Sequence, residues 1–260
     1  MKQPLAYVHP EAKVADNVVI EPFVSIDKDV IIGEGTRIGS NATIFPGTRI
    51  GKNCRIFPGA VIGAIPQDLK FRGEYTTVEI GDNTTIREFV TVNRGTAARG
   101  KTTIGNNCLI MAYVHIAHDC TVGNNVILTN STQLAGEVFI DDWVIVGGMT
   151  AVHQFCHIGS HVMISGGSLV RKDVPPFIKA GREPLSYVGI NSIGLRRRNY
   201  TNDKIREVQD IYRYIYQKGL NTAQAVEIIE AEMPATPERD EILLFVKDSK
   251  RGIVRGYFPD

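Results

Sequence analysis

An aliphatic residue recurs every six positions along most of this chain, from Val8 through Val14, Ile20, Ile26, Ile32, Ile38, Ile44, Ile50, Ile56 and Ile62, then from Ile80 to Val170. Of the 28 positions on that grid, 25 are Val, Ile or Leu. An amphipathic helix repeats its apolar face about every 3.6 residues and a half-buried strand about every two, so neither accounts for the pattern. A six-residue period belongs to a parallel β-helix of hexapeptide repeats. Three hexads close a triangular coil, so residues n and n+18 lie one above the other at the usual strand spacing of ~4.8 Å. Each coil buries its apolar side chains only by stacking on its neighbours. Deleting one coil is therefore expected to be disruptive, and an Ile→Ala change on the grid to cost about 2–5 kcal/mol.

The grid also explains the cysteines. Cys54, Cys108, Cys120 and Cys156 each stand four residues after a grid aliphatic, in a slot otherwise held by Ala42, Thr48, Ala60, Thr132, Val144 and Thr150. That slot calls for a small buried side chain, and a free cysteine serves as one. One position earlier come Gly35, Asn41, Gly47, Asn53, Gly59, Asn83, Asn107 and Asn125, residue types that tolerate the positive φ of a sharp corner.

With 260 residues, 43% of them apolar, and a formal charge of +1, the chain matches neither a disordered segment, nor a collagen-like fibre, nor a strongly cationic nucleic-acid binder. Met1-Lys2-Gln3-Pro4 lacks the apolar core of a signal peptide, and no run of about 18 apolar residues occurs. The expectation is a cytoplasmic protein without stable membrane insertion.

The grid breaks twice, at 63–79 and at 93–103, and both breaks read as loops pushed out of the solenoid, where function concentrates on a rigid scaffold. After Val170 the pattern changes. Thr201, Asn221 and Thr236-Pro237 are helix N-cap signals that predict helices over 202–217, 222–232 and 237–250, covering the last coil. The division that follows is a solenoid over 1–190 and an α-helical domain over 191–260.

Four of the six histidines, His115, His118, His153 and His157, fall within about two and a half coils of one another. His118 and Asp119 occupy a corner of their hexad, so their side chains are expected to point outward. The 18-residue rule places Gly136 above His118 and Gln154 above that. A corner histidine beneath a glycine N–H suits a general base beside an oxyanion donor. The same residues also fit surface histidines at a turn.

Taken together, several segments resemble the UDP-N-acetylglucosamine O-acyltransferase family. They are Pro66-Gln67-Asp68-Leu69-Lys70, His115-Ile116-Ala117-His118-Asp119-Cys120, Leu134-Ala135-Gly136, the stretch from Gly147 to Cys156, and Gly189-Ile190-Asn191 with Gly194-Leu195-Arg196-Arg197-Arg198. The resemblance covers essentially the whole chain. It implies an all-β solenoid that is a left-handed parallel β-helix with a C-terminal α-helical domain, assembled as a homotrimer with sites between neighbouring solenoids. It further implies transfer of an (R)-3-hydroxyacyl chain from acyl carrier protein to the 3-hydroxyl of UDP-N-acetylglucosamine, the first step of lipid A synthesis, without metal or cofactor.

By the same match His118 is the general base, Asp119 holds its imidazole in one tautomer, and the Gly136 N–H receives the oxyanion. Gln67, Asp68 and Lys70 lie on a sugar-contacting loop that reaches in from a neighbouring subunit, and His115, His153 and Gln154 line the sugar and diphosphate. Asn191, Arg197 and Arg198 fall at the nucleotide end. Gly166 stands at the position that limits acyl length and implies a long chain.

This chain departs from the family pattern at Glu137, Asn93 and Pro184, where the family carries histidine, and at Ile193, where it carries a carboxylate. Glu137 lies one rung above Asp119, and two carboxylates at that spacing repel unless a cation or shared proton intervenes. A contact of Glu137 with substrate, or an effect on the basicity of His118, are the roles open to it. Three other readings remain at this point. One is the N-acyltransferase of the same pathway, one a solenoid enzyme with three zinc-ligating histidines, and one a structural solenoid without chemistry.

Overall fold

The computed structural model describes residues 4–256. Its hexads fold as anticipated, into short parallel strands separated by tight corners, most strands being two residues long. They stack into three sheets of nine, eight and eleven strands, the last including the C-terminal additions described below. Registers such as Ser25↔Thr43 and His115↔Gln133 follow the 18-residue rule.

The two insertions change the arithmetic. Across the first, Val61 pairs with Thr91 and the rung interval widens to 30 residues; across the second, Thr91 pairs with His115 and it is 24. The loops are also shorter than the broken grid suggests, because Val61–Ala64, Thr77–Ile80, Thr91–Asn93 and Lys101–Ile104 remain strand on either side. Each insertion is a multiple of six, so the core period resumes in phase beyond it.

Inside the coil the grid residues Ile26, Ile32, Ile38, Ile44, Ile62, Ile86, Ile110 and Ile116 are fully buried. The four cysteines are free and buried. Cys54, Cys108 and Cys120 each direct the thiol to a backbone carbonyl at 3.1 Å. Burial pushes the Cys108 and Cys156 thiols up to about 11 and Cys120 to about 12, which keeps them protonated and unreactive. The corner position before the cysteine slot has positive φ at all eight Gly and Asn residues named above. The same left-handed corner is imposed on Phe23, Phe89, Tyr113, Asp119, Glu137, Trp143 and Phe155.

Beyond Val170 the chain leaves the hexad pattern but still adds strands. Ile178–Gly181 adds in parallel to Met163–Ile164, then pairs antiparallel with Ser186–Ile190, and Arg255–Gly256 joins that edge. The final sheet edge is thus extended by strands as well as covered by helices. Four helices follow: α1 (Ser192–Arg197), α2 (Asn202–Gln217), α3 (Thr222–Glu232) and α4 (Pro237–Asp248). Thr201, Asn221 and Thr236 cap the last three, with a full capping box between Asn221 and Gln224. The short α1 has no signal among those cap readings, and α4 stops two residues before the expected end.

Helix α2 buries Ile205, Val208, Ile211 and Tyr212, and the Tyr212 hydroxyl donates to the Pro176 carbonyl at 2.6 Å. Phe245 of α4 rests on the His157 ring, 4.5 Å between centroids. No helix among the described residues is long and apolar enough to cross a membrane.

Candidate active site

His118 and Asp119 leave the strand His115–Ile116 at a corner whose φ of +60° at Asp119 turns the carboxylate back toward the imidazole. The two side chains meet, His118 Nδ1 lying 2.9 Å from Asp119 Oδ2. A carboxylate only accepts, so Nδ1 carries a proton and, in the neutral ring, Nε2 presents the lone pair. Although the corner projects away from the coil interior, neither residue is a surface group: His118 is 9% exposed and Asp119 fully buried. The expectation of outward-pointing side chains holds for direction but not for exposure, because the two inserted loops cover this corner.

From the second loop, Thr96 contributes its N–H and its hydroxyl to the Asp119 carboxylate, and the Asp119 N–H donates to Thr102 Oγ1 at 2.8 Å. From the first loop, Asp68 Oδ2 lies 3.8 Å from His118 Nε2. Within the single chain, this loop thus brings its own Asp68 toward His118. Asp68 also shapes its own turn by accepting the Lys70 N–H at 2.9 Å, while Gln67 and Lys70 are exposed beside it.

Gly136 stands directly above the imidazole. A Cβ there would lie 2.5 Å from His118 Cε1 and Nε2, so only glycine permits the ring to occupy this rung. Another corner of the solenoid shows what is unusual about this one. There the equivalent positions are Asp82, Asn106, Asn124 and Asp142, and each side chain accepts the backbone N–H of the rung below at 2.7–2.9 Å. At the His118 corner the residue above has no side chain, and among the described residues no acceptor takes the N–H of His118 or of Gly136. The result is a backbone donor beside a basic nitrogen.

Glu137 follows with φ +57° and its N–H donates to the His118 carbonyl at 3.0 Å. The cation that the Asp119–Glu137 adjacency requires is Arg99, whose Nε is 3.9 Å from Glu137 Oε2 while its guanidinium lies 4.1 Å over the Phe139 ring. Thr96 and Arg99 were missed by reading the sequence, since their contacts arise from loop closure; Thr102 was missed too, although its strand stacks at the 18-residue spacing.

The outer face of the sheet beside the corner carries the other candidates. His115 shares a hydrogen bond of 2.7 Å with Thr91 Oγ1, and burial, with the neighbouring His118, lowers its pKa. His153 is exposed, its Nδ1 3.1 Å from the Gln154 carbonyl oxygen, and Gln154 stands over Gly136. Gly166 is exposed at the far edge of this same sheet face, stacked on Gly148, with the register Gln133↔Ala151↔Leu169 between it and the histidine corner.

Asn191, Arg197 and Arg198 do not join this cluster. Asn191 is buried as the N-cap of α1, accepting from Gly194 N–H and donating to the His161 carbonyl at 2.8 Å. Arg198 donates to the Trp143 carbonyl at 3.1 Å and lies over its ring, while Arg197 is exposed. Pro184 and Ile193 lie in the same C-terminal region.

A solenoid of hexapeptide repeats with a His–Asp pair under a glycine amide defines an acyltransferase of the hexapeptide class. Residues 173–254 match the signature of domain 2 of UDP-N-acetylglucosamine O-acyltransferases, residues 101–136 match the bacterial transferase hexapeptide, and residues 2–96 match the GMPPB C-terminal domain. The chain is 45% identical over 253 residues to an acyl-[acyl-carrier-protein]–UDP-N-acetylglucosamine O-acyltransferase of Thiobacillus denitrificans, covering 97% of this chain and 98% of the relative. It superimposes on the crystal structure of a UDP-N-acetylglucosamine acyltransferase from Bacteroides fragilis with a TM-score of 0.97 at 57% identity, covering 98% and 100% of the two chains. The enzyme of Francisella novicida gives 0.95 at 42%, covering 98% and 94%. The chain therefore belongs to the acyl-[acyl-carrier-protein]–UDP-N-acetylglucosamine O-acyltransferase family, and its fold is the left-handed parallel β-helix with a C-terminal set of helices.

Proposed function

We infer that this chain transfers a hydroxyacyl group from acyl carrier protein to UDP-N-acetylglucosamine, the first step of lipid A biosynthesis, with His118 as general base. The observation that carries the mechanism is the unclaimed Gly136 N–H beside an imidazole whose Nδ1–H is held by Asp119. Nε2 removes the proton of the sugar 3-hydroxyl as its oxygen attacks the thioester carbonyl. The carbonyl oxygen becomes an oxyanion facing the Gly136 N–H. Collapse breaks the carbon–sulfur bond, and the departing thiolate takes the proton from the imidazolium. A single displacement of this kind needs no covalent intermediate on the chain.

Asp68, 3.8 Å from Nε2, is placed to accept from a sugar hydroxyl as it approaches the base, with Gln67 and Lys70 beside it. His115, His153 and Gln154 line the way to the diphosphate, and Glu137 borders the sugar. Arg197, Arg198 and Asn191 serve the nucleotide end, where guanidinium groups suit phosphate. The acyl chain runs across the sheet face toward Gly166, whose lack of a side chain leaves that path open.

The acting form is a cytoplasmic homotrimer. Phe23, Phe89, Tyr113 and Met149 are exposed apolar residues at one corner, with Asn41, Gly59 and Ser131 between them, and Phe89 stacks on Tyr113 at 5.4 Å; such residues suit burial against neighbouring solenoids. The test is transfer from 3-hydroxyacyl carrier protein donors of graded length to UDP-N-acetylglucosamine, with His118→Ala alongside. Turnover in the parent and a loss of roughly 10²–10⁴ in the mutant are expected. Equal rates would remove the base assignment, and a Gly166→Met enzyme that kept its preference for long donors would remove the acyl path.

A further inference from the structure

The second loop does more than wall off the corner. Thr96 is 7% exposed, and its N–H donates to both oxygens of the buried Asp119 carboxylate, at 3.0 and 3.1 Å. Its hydroxyl donates to Oδ2 at 2.6 Å, the same oxygen that takes the His118 Nδ1–H at 2.9 Å. The direction of that hydroxyl is set by a third contact. The Ala98 N–H donates to Thr96 Oγ1 at 3.2 Å, which leaves the hydroxyl proton for Asp119.

The loop itself is held at both ends and from the side. A Cβ on Gly95 would lie 2.3 Å from the Lys101 nitrogen, so a glycine there lets the loop close on its own return strand. The Gly100 N–H donates to the Thr96 carbonyl at 2.7 Å, and the Ala97 N–H to Glu74 Oε1 of the first loop at 3.0 Å. Two donors from one fixed residue thus set the plane of a carboxylate that would otherwise pivot about its last torsion, and the carboxylate plane sets the imidazole.

We propose that Thr96 is a positioning residue for acyl transfer, acting through Asp119 to hold the His118 imidazole in the plane and tautomer from which Nε2 accepts the sugar proton. The role rests on His118 being the base. Removing the hydroxyl withdraws one charge-assisted donor from Oδ2, leaving more negative charge beside the imidazole. Protonated imidazole is then favoured, and the acidic limb of the rate profile moves to higher pH.

The experiment compares Thr96→Val, Thr96→Ser, Asp119→Asn, His118→Ala and the Thr96→Val/Asp119→Asn double variant of the full chain in the transfer assay. Thr96→Val is expected to lower kcat roughly 10- to 100-fold, with KM for UDP-N-acetylglucosamine within about twofold and the acidic limb of kcat/KM shifted upward. Thr96→Ser, which keeps both donors, is expected to remain within about threefold of the parent. In the Asp119→Asn background the valine change should add nothing, because the path it acts through is already broken.

Independent, multiplying losses in the double variant would overturn the proposal. So would a Thr96→Val enzyme with full kcat, or one impaired only in KM with an unmoved pH profile. If the valine variant does not fold, a serine variant as impaired as Asp119→Asn would overturn it equally. Loss of activity in His118→Ala with a silent Thr96→Val would sink this role alone, whereas an active His118→Ala would sink the base beneath it.

Discussion

Two corners of this solenoid have the same left-handed backbone and serve opposite ends. At one, Asp82, Asn106, Asn124 and Asp142 form a ladder in which every side chain takes the amide of the rung beneath. At the other, His118, Gly136 and Gln154 occupy the equivalent positions and no such ladder exists, although the Glu137 N–H still reaches the His118 carbonyl. The difference teaches that the repeat supplies one rigid turn many times, and chemistry appears where side chains stop satisfying it. In the proposed mechanism the donor left over at the second corner is the one that meets the oxyanion, and two loops supply the burial and the further contacts that the ladder corner does without.

That contrast breaks most visibly at Gly136. Gly136→Ala drives a methyl to 2.5 Å from the imidazole, and turnover is expected to fall by roughly 10²–10³ while the solenoid still folds. Circular dichroism and the transfer assay together check it; near-normal turnover would mean that the ring does not need this rung. At the ladder corner the pattern reverses. Asn124→Ala leaves the Asn106 amide without its partner, so a loss of about 1–3 kcal/mol in denaturant unfolding is expected with kcat unchanged.

Arg99→Ala sharpens the comparison from the side of charge. It withdraws the cation from Glu137 and leaves two adjacent carboxylates beside the base, so the acidic limb of the rate profile should move upward by a few tenths of a pH unit. An unmoved limb would show that Glu137 is electrostatically silent toward His118.

A pH effect lies further along the ladder corner, where Trp143, His161 and Phe177 continue the column of Asn83, Asn107 and Asn125. The His161 ring is stacked between its neighbours, and burial, with Arg198 nearby, lowers it from 6.5 to about 4. Between those values the unfolded chain binds a proton that the folded chain refuses, so stability is present above about pH 6.5 and declines as pH falls toward 4. His161→Phe is expected to flatten that decline in thermal melts taken across the window, and an unchanged slope would assign it to other groups.

Much of this was legible from residue spacing. The stacking of Gly136 over His118 and the buried cysteine slot follow from counting, and so does the left-handed corner at Asp119 and Glu137, because a coil of three hexads repeats its geometry. The insertions defeated counting, since rung intervals of 30 and 24 replace 18 there and no short-range pattern says where a loop tip returns. Asn191 shows the limit in another form. The family resemblance puts it at the nucleotide end, but no spacing announces that its side chain also caps α1 and donates to the His161 carbonyl.

By itself the sequence determined the solenoid, its three faces and the rung on which His118 sits, because a periodic apolar grid of this length buries itself by stacking coil on coil. Only the tertiary structure decided that His118 is buried and not exposed, that Thr96 donates to the Asp119 carboxylate, that Arg99 faces Glu137 and that the chain's own Asp68 approaches His118. Those facts depend on where two loops close, and loop closure joins residues whose separation carries no period.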